Sequence, residues 1–408
     1  PPLNLGITSS NTLYGNTQVT FTDVLGDKEV SFYAQSIAQY RTTAFTYVNA
    51  ERRLQYALQA FSQDLYYFGQ DITNSGALYD PRIAPFISRD LAESVQSQRG
   101  ATAFAIYPLN RYSRLEAYSG YVHLSEGYTN SALQEQAERY QLERYGQTLF
   151  RNGHMIPIGL SLVNETTIFR EFGPVAGRTF KVSYDASPPF GSSWLSRQTA
   201  DLDIRQYLRI GSTGVFATRF KGFKSWGRNP DFNYFGGNSE MRGYEYLEFI
   251  GNQGFFANAE LRFPLIEAML TPIGVLGGLR GAFFVNLGAA GFNGQPLNVL
   301  TTRTETFQPV VGYDLNPDNS TTPRLGEPIE LSGLRLVNGR ASYGLSLQSF
   351  LLGFPMHFDF SWRTLFNRTY EDALYRACYQ SSLTTVDCVP NGSAFRKMKF
   401  DFWIGYDF

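Results

Sequence analysis

The chain has 408 residues, of which 16% are aromatic and only 17% are charged, against about 25% in an average soluble domain. Its 35 Lys and Arg residues balance its 36 Asp and Glu residues, so no net positive field favours nucleic acid. No segment approaches the roughly 18 to 20 consecutive apolar residues of a transmembrane helix. The composition therefore excludes a helical membrane protein and disfavours a helix-rich enzyme.

Alternation of apolar and polar residues with a period of two recurs along the chain and predicts β-strands. Sixteen segments show it, and an even number puts both chain ends on the same side of a barrel. In chain order, the segments are 16–23, 28–37, 41–49, 51–61, 64–70, 95–107, 111–126, 155–169, 177–187, 198–211, 213–226, 253–264, 278–290, 339–350, 354–366 and 396–408.

The connections between these segments alternate between short and long, as they do in transmembrane barrels. Residues 38–40 and 62–64 are short connections, whereas 227–252 is long. Within the other long connections, residues 131–150 are polar and helix-prone, either as a solvated surface segment or with a specific binding role. Residues 312–330 are rich in Pro, Asn, Asp, Thr and Glu, and we expect them to be mobile.

The final segment shows the alternation most clearly. A soluble β-sandwich or propeller also alternates, but here one face is almost wholly large and apolar while the other mixes charges of both signs with Gly. Such a polar face suits a wet lumen, and only a closed sheet leaves no unpaired edge in lipid. The residues of the apolar face are Phe400, Phe402, Ile404, Tyr406 and Phe408, opposite Lys399, Asp401, Trp403, Gly405 and Asp407.

The chain has two cysteines, Cys378 and Cys388, in a polar stretch with no His nearby. A zinc site needs more ligands at suitable spacing, so no metal site is predicted here. The two thiols are expected to close a small disulfide loop, which implies an oxidising, exported location. The alternative is two unpaired thiols in a loop.

Three stretches in a fixed order carry a family resemblance. Residues 235–244 read FGGNSEMRGY, residues 259–264 read AELRFP, and residues 281–288 read GAFFVNLG. In this order they resemble the bacterial surface-antigen barrel superfamily, which includes outer-membrane protein assembly factors and two-partner secretion transporters. Residues 15–61 are also similar to the opening strands of that family. The resemblance thus covers essentially the whole chain.

The resemblance implies an all-β fold, a sixteen-stranded antiparallel transmembrane β-barrel with a loop inserted into its lumen between strands eleven and twelve. In the family, an Arg-Gly-Phe/Tyr motif lies in that loop. Our strand count places Arg242 there independently. The implied location is the outer membrane, as a multi-pass barrel with both termini in the periplasm. The terminal Phe408 with its alternating apolar residues resembles the targeting signal of outer-membrane barrels, and it also suits a lipid-facing last strand.

The chemistry of the motif can be argued from its residues. A buried Arg242 needs acceptors for its five donors, and the polar faces of the next two strands offer Glu260 and Asn286. Gly243 permits a tight backbone, and Tyr244 is expected to pack against the wall. Asn286 departs from the family, which usually has Asp there, so one charge is missing. The contact either locks the loop in the lumen or merely stabilises the barrel.

The expected domain division is a lead-in at residues 1–15 from an upstream periplasmic part, followed by the barrel domain at residues 16–408. The chain opens with Pro1-Pro2 and without Met, so we expect a processed or excised piece of a longer protein.

No catalytic constellation is found in the sequence. It has three His residues, none beside a nucleophile, and His357 is expected to be a hydrogen-bonded wall residue. No nucleotide-binding or hydrolase motif occurs, so neither an enzyme activity nor a cofactor is expected.

The sequence leaves two classes of function open. The first is insertion or translocation of polypeptides at the outer membrane, with client polypeptides and periplasmic or lipoprotein partners. The second is a barrel anchor or accessory subunit of an envelope complex with no transport of its own. A diffusive porin is disfavoured, because an inserted loop would plug the lumen.

Overall fold

The computed structural model describes residues 3–7, 13–37, 40–67, 94–146, 148, 150–170, 173–211, 213–246, 248–271, 274–316, 320–351 and 354–405. Its strands are β1 Leu3–Ile7, β2 Leu13–Thr22, β3 Lys28–Ile37, β4 Tyr40–Asn49, β5 Gln55–Tyr67, β6 Ser94–Pro108, β7 Ser113–Tyr128, β8 Gly153–Met155, β9 Ile158–Glu165, β10 Ile168–Arg170, β11 Gly173–Ser187, β12 Arg197–Ile210, β13 Gly214–Gly227, β14 Asn233–Phe235, β15 Phe249–Gly251, β16 Gln253–Thr271, β17 Gly274–Gly291, β18 Leu300–Thr301, β19 Glu305–Phe307, β20 Val310–Leu315, β21 Thr321–Leu325, β22 Ile329–Leu331, β23 Arg335–Leu336, β24 Gly339–Leu351, β25 Phe354–Thr364, β26 Arg376–Gln380, β27 Thr385–Pro390 and β28 Lys399–Ile404. The helices are α1 Ser131–Tyr145, α2 Arg368–Leu374 and α3 Gly392–Phe395. Within these described ranges, no helix combines the length and the apolar character needed to cross a membrane.

Antiparallel pairing joins most of the strands into one sheet of eighteen strands, so the prediction of an all-β antiparallel fold is confirmed. The pairings run from neighbour to neighbour in the order β1, β2, β3, β4, β5, β6, β7, β9, β11, β12, β13, β16, β17, β24, β25 and β28. Two short strands are attached to this order, β8 on β7 and β10 on β11.

The start of the sheet differs from the predicted strand boundaries. The described parts of the segments predicted at 51–61 and 64–70 contribute to one strand, β5 at Gln55–Tyr67, which pairs with β6 without interruption through residues 62–64. Residues 68–70 lie outside the described residues. Those polar residues do not form a turn, because Asp64 accepts a hydrogen bond from Ser97 Oγ on β6 at 2.6 Å. β1 is a strand that the alternation does not predict, and it pairs with β2.

The two faces of the sheet have opposite chemistry, as the alternation predicts. On the outer face, Phe283 and Val285 of β17 are each 52% exposed. On the inner face, which contacts residues 228–252, Asn286 and Asp359 are 0% exposed. A water-soluble sheet buries its apolar face instead, so this distribution suits a wall with lipid outside and polar groups inside.

The long connections that follow β17 and β25 contain strands that pair with each other in a second sheet. β20, β21, β26 and β27 form a four-stranded sheet in the order β21-β20-β27-β26. Cys378 and Cys388 lie directly opposite each other on β26 and β27 and form the predicted disulfide. Residues 312–330, which we expect to be mobile from their composition, contribute in their described part to β20, β21 and β22. β20 pairs with β21 and with the distant β27, and β22 pairs with β19.

The helix-prone segment at 131–150 forms α1 over Ser131–Tyr145. Asn130 caps its first turn by accepting a hydrogen bond from the backbone N–H of Leu133 at 3.0 Å. The helix ends at Gly146, whose left-handed φ of 70° is typical of a helix C-terminus. Leu133 and Ala137 are buried, so this polar helix packs against the rest of the protein through a narrow apolar stripe.

Candidate functional site

Residues 228–252, between β13 and β16, turn back against the inner face of the sheet. β14 and β15 pair to form the stem of this inserted loop. Gly237 has φ of 71°, a conformation that favours glycine, and its carbonyl accepts from the backbone N–H of Met241 at 3.0 Å. The backbone N–H of Gly236 donates to the Glu240 carboxylate at 3.0 Å. This tight turn presents residues 241–244 to the wall.

Apolar packing holds the inserted loop in place. Phe235 and Phe249 stack at the stem with ring centroids 4.9 Å apart, and Phe235 also contacts Phe256 of the wall at 5.3 Å. Met241 is fully buried. A β-carbon at Gly288 of β17 would lie only 2.9 Å from the Met241 sulfur, so this glycine makes room for the loop.

Arg242 lies at the centre of the site and is 1% exposed. Its Nη2 lies 2.6 Å from Oε1 of Glu260 on β16, and its Nε lies 3.2 Å from Oδ2 of Asp359 on β25. Its guanidinium is 4.5 Å from the centroid of the Phe284 ring on β17. Glu260 also accepts a hydrogen bond from Arg262 Nε at 2.8 Å. Two buried cations therefore meet two buried carboxylates, which is the balance that a buried ion cluster needs.

Asp359 is the partner that the sequence analysis misses. Its signal is present, because Asp359 lies on the polar face of the segment 354–366. A count of charges could have found it. Arg242 and Arg262 carry two positive charges and both contact Glu260, which supplies only one negative charge, so a second carboxylate is needed. The strand alternation gives the face of a residue, but not which of several wall carboxylates lies nearest to a loop.

Asn286 takes a different place from the one predicted. Its Oδ1 accepts a hydrogen bond from Asn258 Nδ2 at 2.8 Å, and its own Nδ2 donates to Ser342 Oγ at 3.0 Å. Asn258 Nδ2 also lies 2.6 Å from the backbone carbonyl of Glu240 in the inserted loop. Asn286 thus connects the wall strands and orients Asn258, which binds the loop backbone. The second carboxylate at Arg242 comes from Asp359, two strands further along the sheet.

Gly243 and Tyr244 complete the contact of the loop with the wall. Gly243 has φ of 86°, and a β-carbon there would lie 2.8 Å from Ser361 Oγ on β25. The Tyr244 hydroxyl donates to the carbonyl of Ala341 on β24 at 3.0 Å. Burial raises the pKa of Tyr244, so its hydroxyl remains a neutral donor.

The site extends to the last strand. Trp403 of β28 donates its indole N–H to Asp359 Oδ2 at 2.7 Å. His357 stacks on Trp403 with ring centroids 3.7 Å apart and an angle of 8°. The Nε2 atom of His357 is 2.8 Å from the carbonyl of Gly405. His357 is thus a buried, hydrogen-bonded wall residue beside the ion cluster.

The apolar residues of the last strand lie on the outer face. Phe400, Phe402 and Ile404 are 51%, 50% and 57% exposed. Tyr406 and Phe408, the other two residues of the expected C-terminal signal, lie outside the described residues. In the part of the chain that the structure describes, no group of three or more His, Cys, Asp or Glu side chains could hold a metal ion.

A model of the Omp85 superfamily domain matches residues 29–408. The chain belongs to the Omp85 superfamily. The resemblance that the sequence carries is therefore confirmed, and an Omp85 barrel is an outer-membrane structure. A comparison with curated protein sequences finds no match.

Three solved structures are similar to the chain at low sequence identity. BamA from Haemophilus ducreyi lacking POTRA domains 1–3 is 13% identical with a TM-score of 0.55, over 90% of this chain and 66% of that one. CdiB from Acinetobacter baumannii is 10% identical with a TM-score of 0.44, over 89% of this chain and 55% of that one. CdiB from Escherichia coli is 13% identical with a TM-score of 0.46, over 98% of this chain and 60% of that one. The BamA likeness shows the fold alone, and this Omp85 chain spans less than two thirds of the length of each of these proteins.

Proposed function

We propose that this Omp85 chain inserts polypeptides into the outer membrane or translocates them across it, without nucleotide or cofactor. The observation that carries the proposal is the inserted loop, which the buried Arg242 holds against the inner face through Glu260 and Asp359. A loop held by ion pairs has two available states, attached and released. The attached state keeps the lumen closed, and release gives a polypeptide a path.

The energetics of the cluster favour a switch over a passive support. Replacing a buried ion pair by apolar residues of the same shape is often neutral or stabilising, because the charges lose their hydration. A loop that only filled the lumen could use apolar contacts such as those of Phe235 and Met241 throughout. The cluster of Arg242, Glu260 and Asp359 is better suited to a contact that must be made and broken in a wet lumen.

We infer a closed barrel of sixteen strands, in which β1 and β28, the two ends of the ladder, lie side by side. Strand lengths support it, because β2, β3 and β4 have 10 residues each, close to the roughly 9 to 11 that a tilted strand needs to cross a bilayer. Both termini would then lie in the periplasm. The expected division into a lead-in at residues 1–15 and a barrel domain at residues 16–408 changes in this arrangement, because β1 at Leu3–Ile7 pairs with β2 and would itself be a barrel strand. Clients, periplasmic proteins or lipoproteins are the proposed partners.

The experiment is a client-folding assay in liposomes. The chain is reconstituted, an unfolded eight-stranded outer-membrane barrel protein is added, and its folding is followed by heat-modifiable gel mobility. We expect faster client folding than in empty liposomes, and than in liposomes holding a diffusive porin at equal mass. For translocation, the second readout is protection of an unfolded secreted polypeptide from external protease.

The alternative is a barrel anchor or accessory subunit of an envelope complex. The four-stranded sheet of β20, β21, β26 and β27 favours it, because a disulfide-linked subdomain outside the wall offers a rigid surface for a partner. An intact barrel that neither accelerates client folding nor protects a secreted polypeptide would support this alternative over transport.

A further inference from the structure

Two of the three histidines in the sequence lie side by side where the short strand β8 pairs with the last part of β7. His123 of β7 is directly opposite His154 of β8 in the antiparallel register. Their ring centroids are 4.6 Å apart, with an angle of 33° between the rings. The third histidine, His357, is buried on the inner face and packs on Trp403.

The backbone explains why the two rings are so close. The N–H of His154 donates to the carbonyl of Ser193 at 3.0 Å, and the His154 carbonyl accepts from the N–H of Leu195 at 2.7 Å. Both backbone groups of His154 therefore point away from β7. The pair His123–His154 is of the non-hydrogen-bonded type, in which opposite α-carbons are about 4.5 Å apart and side chains are closest.

The pair lies on the outer face, where the apolar band ends. Along β7, Leu115 and Tyr121 alternate outward and are exposed. The next outward positions are His123 and Ser125, and Ser125 is exposed. Arg99 of β6, in register with His123, has a side chain that is 62% exposed. The histidine pair thus lies in the first row beyond the band, beside the exposed Ser125 and Arg99, and both imidazole rings are half-buried.

The ring nitrogens have unequal environments. The Tyr121 hydroxyl is 2.7 Å from Nδ1 of His154, which fixes the ring and leaves Nε2 as its metal-binding atom. Nδ1 of His123 is buried and has no hydrogen-bond partner within the described part of the chain. A buried imidazole nitrogen that has lost water without gaining a partner is a costly arrangement, which a bound ligand would relieve.

We propose that His123 and His154 bind a divalent transition-metal ion of the Zn²⁺ and Cu²⁺ class. Imidazole nitrogen is a preferred ligand of these ions, whereas Mg²⁺ and Ca²⁺ prefer oxygen. The pair supplies two protein ligands, and water completes the coordination. Tyr121 acts as a positioning residue. Arg99 opposes a bound cation, although its guanidinium lies 3.8 Å from Asp64, which offsets part of its charge.

A bound ion would have a structural consequence. β8 pairs with β7 over only three residues, and it follows the segment that carries α1. A metal that bridges the two strands would therefore hold the end of this long connection against the wall. The site shares no residue with the inserted loop, so a failure to bind metal would leave the proposed transport function unaffected, and the reverse also holds.

The test uses the full chain in detergent, purified without an affinity histidine tag and treated with chelator. Cu²⁺ alone is the probe, because it binds most tightly in the divalent series and its EPR spectrum reports directly bound nitrogen. We expect one saturable Cu²⁺ site, whose EPR spectrum shows two imidazole nitrogens bound to the copper. His123→Asn and His154→Asn should each lose the two-nitrogen signal while retaining the heat-modifiable gel mobility of the folded wild type.

Two further variants test the roles of the neighbours. Tyr121→Phe keeps both imidazoles and should weaken Cu²⁺ binding roughly tenfold, as loss of an orienting partner usually does. Arg99→Gln removes a nearby positive charge and should tighten binding. Zn²⁺ should compete with Cu²⁺ and slow hydrogen exchange in β8. The proposal is overturned if the wild type binds no Cu²⁺, if its spectrum shows a single imidazole, or if the His123→Asn/His154→Asn double variant binds as the wild type does.

Discussion

Trp403 of the last strand and Arg242 of the inserted loop share one carboxylate, Asp359. Oδ2 of Asp359 accepts the indole N–H at 2.7 Å and lies 3.2 Å from Arg242 Nε. The loop is thereby connected to β28, the strand at the end of the ladder. A change that releases Arg242 alters the environment of a group that also holds β28, so we expect release of the loop to weaken the attachment of the last strand.

Asp359→Asn tests how much this carboxylate contributes to the stability of the protein. The change leaves two buried guanidinium groups, those of Arg242 and Arg262, with Glu260 alone. Removal of one partner from a buried ion pair costs about 3 to 5 kcal/mol, so the melting temperature should fall markedly. Asp401→Asn is the matched control, because Asp401 is directly opposite Asp359 on β28 but its side chain is 28% exposed. Equal effects of the two variants on thermal unfolding would contradict a special role for Asp359.

Trp403→Phe isolates the indole hydrogen bond, since the phenyl ring still stacks on His357. Asp359 loses one donor while it stays buried, which should cost about 1 to 3 kcal/mol of unfolding free energy. Trp362→Phe on the outer face of β25 is the control, and its effect should stay within about 0.5 kcal/mol. If the control destabilises the protein as much as Trp403→Phe does, the bond to Asp359 contributes nothing measurable.

Gly243→Ala tests the close approach of the loop to the wall. Alanine at φ of 86° is strained by about 1 to 3 kcal/mol, and its β-carbon would in addition lie 2.8 Å from Ser361 Oγ. Gly333 has nearly the same φ, 84°, with no atom within 4 Å of the corresponding position. Gly333→Ala therefore carries the backbone strain without the contact. We expect a larger loss of stability and faster proteolysis of the inserted loop for Gly243→Ala, and equal losses would show that the contact is unimportant.

The disulfide between Cys378 and Cys388 should stabilise its hairpin rather than the whole protein. It closes a short loop, for which the chain-entropy model gives about 2 to 3 kcal/mol. The Cys378→Ser/Cys388→Ser double variant should therefore exchange backbone hydrogens faster in β26 and β27, while the barrel melts at the temperature of the wild type. A large drop in barrel melting would instead mean that the wall depends on this hairpin.

Much of this fold can be predicted from the sequence, because alternation with a period of two is a local property. It assigns Glu260, Asn286 and Asp359 to the inner face correctly. It fails at residues 62–64, where β5 extends beyond the apolar band and polar residues resemble a turn. Likewise, it cannot choose between Asn286 and Asp359 as the partner of Arg242, because that choice depends on how far the loop reaches across the sheet.

We propose that Arg242 holds the inserted loop in a closed state, which must be released for transport. The most direct measurement is single-channel conductance of Arg242→Ala in lipid bilayers, beside heat-modifiable gel mobility. Arg262→Gln is the control, because it removes the other guanidinium at Glu260 from the wall rather than from the loop. We expect Arg242→Ala to fold but to give open or noisy channels, whereas Arg262→Gln should lose stability and stay closed. If both variants are as closed as the wild type and differ from it only in melting temperature, Arg242 only stabilises the barrel and the loop is not a gate.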